Sequence, residues 1–166
     1  MEEEISGKQV GIKYGLLLGL TGTVVFIVPA LLRSTFPAMF LVYWAYFFVF
    51  LTLGMKEYKK ANGGYMSFGK GFGIGMTISL VGGLLRAIMR YVYLAVDTEY
   101  FKFLEDQQQN NPFGPPPDSG QDTTAIMEMF LNPVVLSAMS LLGAILAGLI
   151  FGAIVAAIVK NDEDEF

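Results

Sequence analysis

Charge is missing from four long stretches of this chain, and that absence limits what it can fold into. Lys13 and Arg33 enclose 19 uncharged residues, 14–32, and Arg33 and Lys56 enclose 22, residues 34–55. A third run, 71–85, ends after 15 residues at Arg86, and a fourth, 129–159, holds 31 between Glu128 and Lys160. A helix needs about 20 apolar residues to cross a hydrocarbon core of about 30 Å. The first, second and fourth runs meet that length, giving spans of about 14–32, 36–55 and 133–159, with Pro133 suited to a first helical turn. The third becomes a full span, about 71–96, if the helix continues through Arg86 and Arg90, and LLRAIMRYVYLAV keeps a helical pattern beyond both. The alternative is a half-length re-entrant helix, which would leave the termini on opposite sides.

Composition agrees with the pattern. Of 166 residues, 16% are charged, against roughly a quarter in a soluble domain. Cys and His are absent, which removes disulfides, thiol nucleophiles, the usual catalytic triads and common zinc sites. A net charge of −4 and a pI near 4.8 argue against nucleic acid as a partner. The fold class expected is an all-α integral membrane four-helix bundle, a single membrane domain over 1–166. A cleavable leader ending near Val28 and Ala30 is the competing reading of the first span. The acidic start MEEE and the long apolar stretch favour retention.

Lys and Arg counts orient the bundle. With four spans, seven of these residues fall on the side holding both ends: Lys8, Lys13, Lys56, Lys59, Lys60, Lys70 and Lys160. Arg33 and Lys102 lie opposite, or four residues if Arg86 and Arg90 are included. The positive-inside rule therefore places both termini in the cytoplasm. The external link RSTFP reads as a tight hairpin, with Ser34 or Thr35 capping the second helix and Pro37 in its first turn. The internal link KEYKKANGGYMSFGK turns at Asn62-Gly63-Gly64 and offers Ser67 as a cap; its lysines suit an anionic headgroup layer. The segment from about 97 to 128, with QQQNNPFGPPPDSGQD, reads as a long, flexible external tether.

Three spans carry small residues four apart. The first has Gly7, Gly11, Gly15, Gly19 and Thr23; the third has Gly71, Gly75, Ser79 and Gly83; the fourth has Ser140, Ala144, Gly148, Gly152 and Ala156. Such rows let helix backbones approach closely in lipid. Either all three pack the bundle, or one remains for self-association. The second span is bulky instead, with Tyr43, Trp44, Tyr46, Phe47, Phe48 and Phe50.

Two motifs fall short of nucleotide binding. Gly64 to Lys70 resembles the start of a phosphate-binding loop, but Gly71 stands where Ser or Thr should hold magnesium, and no strand precedes it. GKGFGIG lacks a βαβ setting. No cofactor and no metal site is expected. Acidic residues lie outside the uncharged cores, which weakens a proton-coupled carrier.

Arg86 and Arg90 are the polar groups of interest. Gly75, Ser79, Gly82, Arg86, Arg90, Tyr93 and Asp97 follow steps of 4, 3, 4, 4, 3 and 4, one helix face. That face carries the small residues, so the arginines should face the bundle. Asp97, Glu128 and Asn132 are candidate partners at the same depth. Tyr43 and Tyr46, near the middle of the second span, need partners for their hydroxyls, and hydrogen-bonding or cation–π contact with Arg86 would supply one. The pair is either structural glue or the lining of an outward cavity for an anionic or lipid-like solute.

The layout resembles a family of small four-helix bacterial membrane proteins catalogued as domain of unknown function 4199. The resemblance rests on YGLLLGL, on KEYKKANGGYMSFGKGFGIG and on RYVYLAVDTEYF, within them Tyr58, Gly63-Gly64, Ser67-Phe68 and Asp97-Thr98-Glu99-Tyr100. It implies this topology and a bacterial inner membrane, and brings no catalytic or binding residues. The function expected is a non-catalytic structural or accessory membrane protein, not an enzyme. Its expected partners are membrane lipid and a second copy or another membrane protein. The alternative is a transporter or channel for an anionic or lipid-like solute, built on Arg86 and Arg90.

Overall fold

The computed structural model describes residues 5–34, 38–109, 129 and 131–161. Ser6 starts the first helix, α1 (Gly7–Leu31), in a capping box: its hydroxyl accepts from the Lys8 N–H while Gln9 accepts from the Ser6 N–H. The cap sets the start of α1 before Lys8 and Lys13, so the helix begins inside the charged end and not at residue 14. At the other end Arg33 turns the chain with φ +46°, a left-handed conformation unusual for a side chain of its size. The second helix, α2 (Met39–Ala61), has Ala38 at its N-cap with no side-chain cap bond. Ser34 is therefore not the cap expected; Thr35 and Pro37 lie outside the described residues.

Asn62-Gly63-Gly64 makes the turn between α2 and α3. Gly63 and Gly64 adopt φ +64° and +94°, which glycine takes without steric cost. Ser67 then accepts from the Lys70 N–H and opens α3 (Phe68–Val96). At 29 residues and about 1.5 Å per residue, α3 runs without a break past Arg86 and Arg90, well beyond a half-length re-entrant helix. Asp97 ends it and begins a short helix, α4 (Thr98–Gln109), by accepting from the Tyr100 N–H at 2.9 Å. This corrects the expectation of a flexible tether from about residue 97. The prolines that argue against helix begin at Pro112, and TEYFKFLEDQQQ contains none. The remainder of that segment lies outside the described residues. Asn132 and Pro133 open the last helix, α5 (Pro133–Val159).

Among the described residues all five elements are helical, and α1, α3 and α5 are each long and apolar enough to cross a membrane. The rows of small residues explain how closely they pack. A Cβ added to Gly11 would lie 2.6 Å from Thr77 Cβ, one on Gly15 2.7 Å from Val81 Cβ, and one on Gly19 2.9 Å from Leu85 Cβ. Both sets of numbers rise together, so α1 and α3 run parallel. Against α5 the numbers run in opposite senses: Gly71 meets Ala156, Gly75 meets Gly152, Ser79 meets Gly148 and Gly83 meets Ala144. Each pairing advances four residues on α3 and retreats four on α5. All three rows thus face another helix of the same chain.

The bulky α2 fills the remaining space. Phe47, Leu51 and Met55 are fully buried in a core with Val10, Ile74, Ile78 and Val155. Trp44 and Phe48 meet the Phe151 ring at centroid distances of 4.7 and 4.8 Å. At the end holding the α2–α3 turn, Met66 and Asn161 exchange backbone hydrogen bonds at 2.9 and 3.0 Å, and Lys59 donates to the Val159 carbonyl. The tail of α5 is thereby tied to the turn after α2.

Candidate functional site

Uninterrupted helix through the arginines sets them one turn apart, Arg86 against α1 and α2 and Arg90 against α1. Gly22 makes room for them: a Cβ there would lie 2.8 Å from the Tyr46 hydroxyl and 3.2 Å from Arg86 Cδ. The Arg86 guanidinium lies over the Tyr43 ring, 4.2 Å from its centroid, and Arg90 lies 5.5 Å from the centroid of Phe26. Tyr43 in turn meets Trp44 and Tyr46 edge-on, both at 5.3 Å. Beside Arg86 opens a cavity of about 470 Å³, lined by Gly22, Phe26, Tyr43, Trp44, Arg86 and Tyr100 among others. The last of these comes from α4, which the expected tether would not have supplied.

The electrostatics of this pocket are lopsided. The Nε atoms of Arg86 and Arg90 are buried and find no hydrogen-bond partner among the described residues. An arginine within a membrane costs about 2.5–3.5 kcal/mol on insertion scales, and buried donors are normally satisfied. Rings facing two guanidiniums offset part of that cost but supply no carboxylate.

The acid expected to do so is engaged elsewhere. Asp97 accepts from Arg33 Nη2 at 2.7 Å and Nη1 at 2.9 Å, from the Tyr93 hydroxyl at 2.8 Å and from the Tyr100 N–H. Arg33 also donates to the Ala30 carbonyl, closing the end of α1, and Glu99 lies 3.7 Å from it. The Arg33 fork, then the Tyr100 N–H, pull the Asp97 carboxyl down to about 2, while Arg33 itself is pushed up. Asp97 is not a partner of Arg86 or Arg90, because its role at the α3–α4 joint turns it toward the end of α1. Asn132 is not one either: it accepts from the Val134 N–H as the cap of α5. Glu128 lies outside the described residues.

A family model described as a protein of unknown function (DUF4199) matches residues 13–161. The chain belongs to that family. The match takes in the whole arginine pocket and the Arg33–Asp97 clamp of this DUF4199 protein, and its description assigns no activity. Comparison with curated proteins and with solved structures returns no match.

Several pocket residues of the DUF4199 chain were not apparent beforehand. Gly22 and Phe26 continue the Gly15–Gly19 face at steps of 3 and 4, a signal that the strict four-residue row passes over. Arg33 and Asp97 follow the ends of α1 and α3, which run parallel, so position along the bundle alone could have paired them. At the opposite end Lys13 reaches Glu57 at 2.8 Å, and the Tyr14 hydroxyl donates to the same carboxylate. These contacts hold the Glu57 carboxyl below its ordinary range, Lys13 contributing most. With the Lys13 side chain 56% exposed, this bridge is well solvated. Glu57→Gln should therefore lower the melting temperature in detergent only slightly, and by less than Asp97→Asn. An equal or larger drop would make the Lys13–Glu57 bridge the stronger clamp.

Proposed function

We propose that the protein is a non-catalytic integral membrane protein of four spans, α1, α2, α3 and α5, with both termini in the cytoplasm of a bacterial inner membrane. It acts as a structural or accessory component. The observation that carries this reading is the two-ended distribution of charge around an aliphatic bundle. Lys13, Glu57 and Lys59 make their contacts at one end, and Arg33, Asp97 and Glu99 at the other. Between them Leu20, Val24, Leu142, Leu146 and Ile150 are each more than half exposed. An outer surface of that kind needs lipid or another membrane protein against it. A second copy would have to use these aliphatic faces, since the small-residue rows are taken within the chain.

The cysteine-free sequence makes the topology directly testable. Single-cysteine variants Ser6→Cys, Asn62→Cys and Lys102→Cys are to be labelled with a membrane-impermeant maleimide. Lys102→Cys should react in intact cells, and the other two only after permeabilisation. Reaction of Asn62→Cys and Lys102→Cys from the same side would overturn the crossing of α3. The accessory role predicts a stoichiometric protein partner, or a second copy, after purification in mild detergent. A solitary monomer by native mass spectrometry would remove its support.

A further inference from the structure

The cavity beside Arg86 contains more positive charge than its surroundings balance, and the geometry points to a binding site for a phosphate-type anion, held by the Arg86 guanidinium with Arg90, one turn away, adding to the positive field. Three observations converge on it. Two cations one turn apart repel each other in a setting of low dielectric, and the Nε donors of both lack a partner among the described residues. The nearest acids described, Asp97 and Glu99, are already held by Arg33. The cavity beside Arg86 is about 470 Å³, within the range of small-ligand pockets, and opens between α1 and α2 under Tyr100 of α4.

Arginine suits this role for a stated reason. Its planar fork matches two oxygens of a phosphate or carboxylate, whereas the rings of Tyr43 and Phe26 can only face the cation. Tetrahedral phosphate has oxygens to spare beyond the Arg86 fork, and Arg90, one turn away, adds to the positive field it meets. Aromatic walls from Phe26, Trp44 and Tyr100 leave room for an apolar extension of the ligand. The same chemistry serves a phospholipid headgroup entering from the adjacent leaflet and a free phosphate entering from water. This site is independent of the accessory role: the pocket is the same whichever side it faces, so cysteine labelling can fail while anion binding holds.

Trp44, the chain's single tryptophan, lines the pocket and makes its emission a local probe. The full chain, purified in neutral detergent, is titrated with short-chain phosphatidylglycerol, with inorganic phosphate and with phosphatidylcholine at constant ionic strength. A saturable change in emission with phosphatidylglycerol alone assigns the anion to a lipid; a change with inorganic phosphate, competing with the lipid, assigns it to a free anion. Arg86→Gln should weaken binding about tenfold or more, as expected for loss of a charged hydrogen bond. Arg86→Lys, which keeps the charge but not the fork, tests the same point if the Gln variant does not fold, and should also weaken binding. Lys8→Gln with Lys70→Gln, at the other basic cavity between α1 and α3, should leave the titration unchanged. No saturable response to either anion, or a response indifferent to both Arg86 variants, overturns the proposal. So does a response that emerges only in Glu128→Gln, which would mean that the chain's own carboxylate fills the site.

Discussion

A single methyl group at position 148 is expected to destabilise the bundle by about 2 kcal/mol, despite the higher helix propensity of alanine. A Cβ on Gly148 would lie 2.5 Å from both Cβ and Oγ of Ser79, which is fully buried. Ser79 cannot swing away: its Cβ is fixed to α3, and its hydroxyl donates to the Gly75 carbonyl at 2.9 Å. The helices must separate, and because contacts recur every four residues the neighbouring pairs Gly75–Gly152 and Gly83–Ala144 open as well. Overpacking of this kind costs about 1–3 kcal/mol, and the relayed loss more than offsets the gain of about 1 kcal/mol from replacing glycine. Gly152→Ala and Gly143→Ala are the controls. The first would meet only ordinary contact at 3.8 Å, and the second meets nothing within 4 Å, so both should be neutral or slightly stabilising. Ser79→Gly in the Gly148→Ala background should recover part of the loss by moving the free space to the other helix. Thermal unfolding in detergent reads all four variants. Gly148→Ala as stable as the parent, or no recovery in the double variant, would refute this account of the α3–α5 contact.

The rows behind that prediction were legible as spacing, because small residues every fourth position stand out against Leu and Ile. Their pairing was not. Nothing in the order of residues says that α1 turns its glycines to Thr77, Val81 and Leu85 while α3 turns its own to α5; that assignment depends on which faces are complementary in three dimensions. The length of α3 was legible for the same kind of reason, since apolar residues continue beyond Arg90. The helix Thr98–Gln109 was hidden by its neighbours, as the composition of the whole polar segment outweighed twelve proline-free residues with an aspartate before them.

The candidate site divides along the same line. Tyr43, Tyr46 and Arg86 could be brought together from depth alone, because each sits about two to three turns from the corresponding end of its expected span, 36–55 or 71–96. Partners for Arg86 and Arg90 were sought among the nearest acids along the chain, which undervalued Arg33. A carboxylate at a helix joint is oriented by the backbone it caps, and here the Tyr100 N–H and the end of α1 decide where Asp97 points. That leaves the arginine pair without the expected acid and gives the pocket its unmet charge.

Asp97→Asn should loosen the end of the bundle at the α3–α4 joint and remove much of its sensitivity to acid. The carboxylate accepts two hydrogen bonds from Arg33, one from the Tyr93 hydroxyl and one from the Tyr100 N–H. It joins α1, α3 and α4 at one point. An amide retains one acceptor oxygen, so it can cap α4 or meet Arg33 but cannot do both, and it brings an N–H₂ group toward a cation. Tyr100, which packs on Phe26 at 6.0 Å and on Tyr93 at 5.5 Å, is then released along with α4. The sign of the pH dependence follows from the depressed carboxyl. Its value is about 2 in the fold against an ordinary 3.8, so its contribution is complete above pH 3.8 and is lost as pH falls toward 2. The parent protein should hold its melting temperature from neutral pH to near 4 and lose it steeply below. Asp97→Asn should begin several degrees lower and fall less on acidification. The residual acid dependence comes from Glu57, whose carboxyl is also depressed, and should shrink further in Asp97→Asn with Glu57→Gln. Melting curves across pH for these variants decide the point. If Asp97→Asn tracks the parent with the same acid drop, the clamp does not hold this end of the bundle. If Arg33→Gln and Asp97→Asn add independently instead of overlapping, the two residues do not act as one unit.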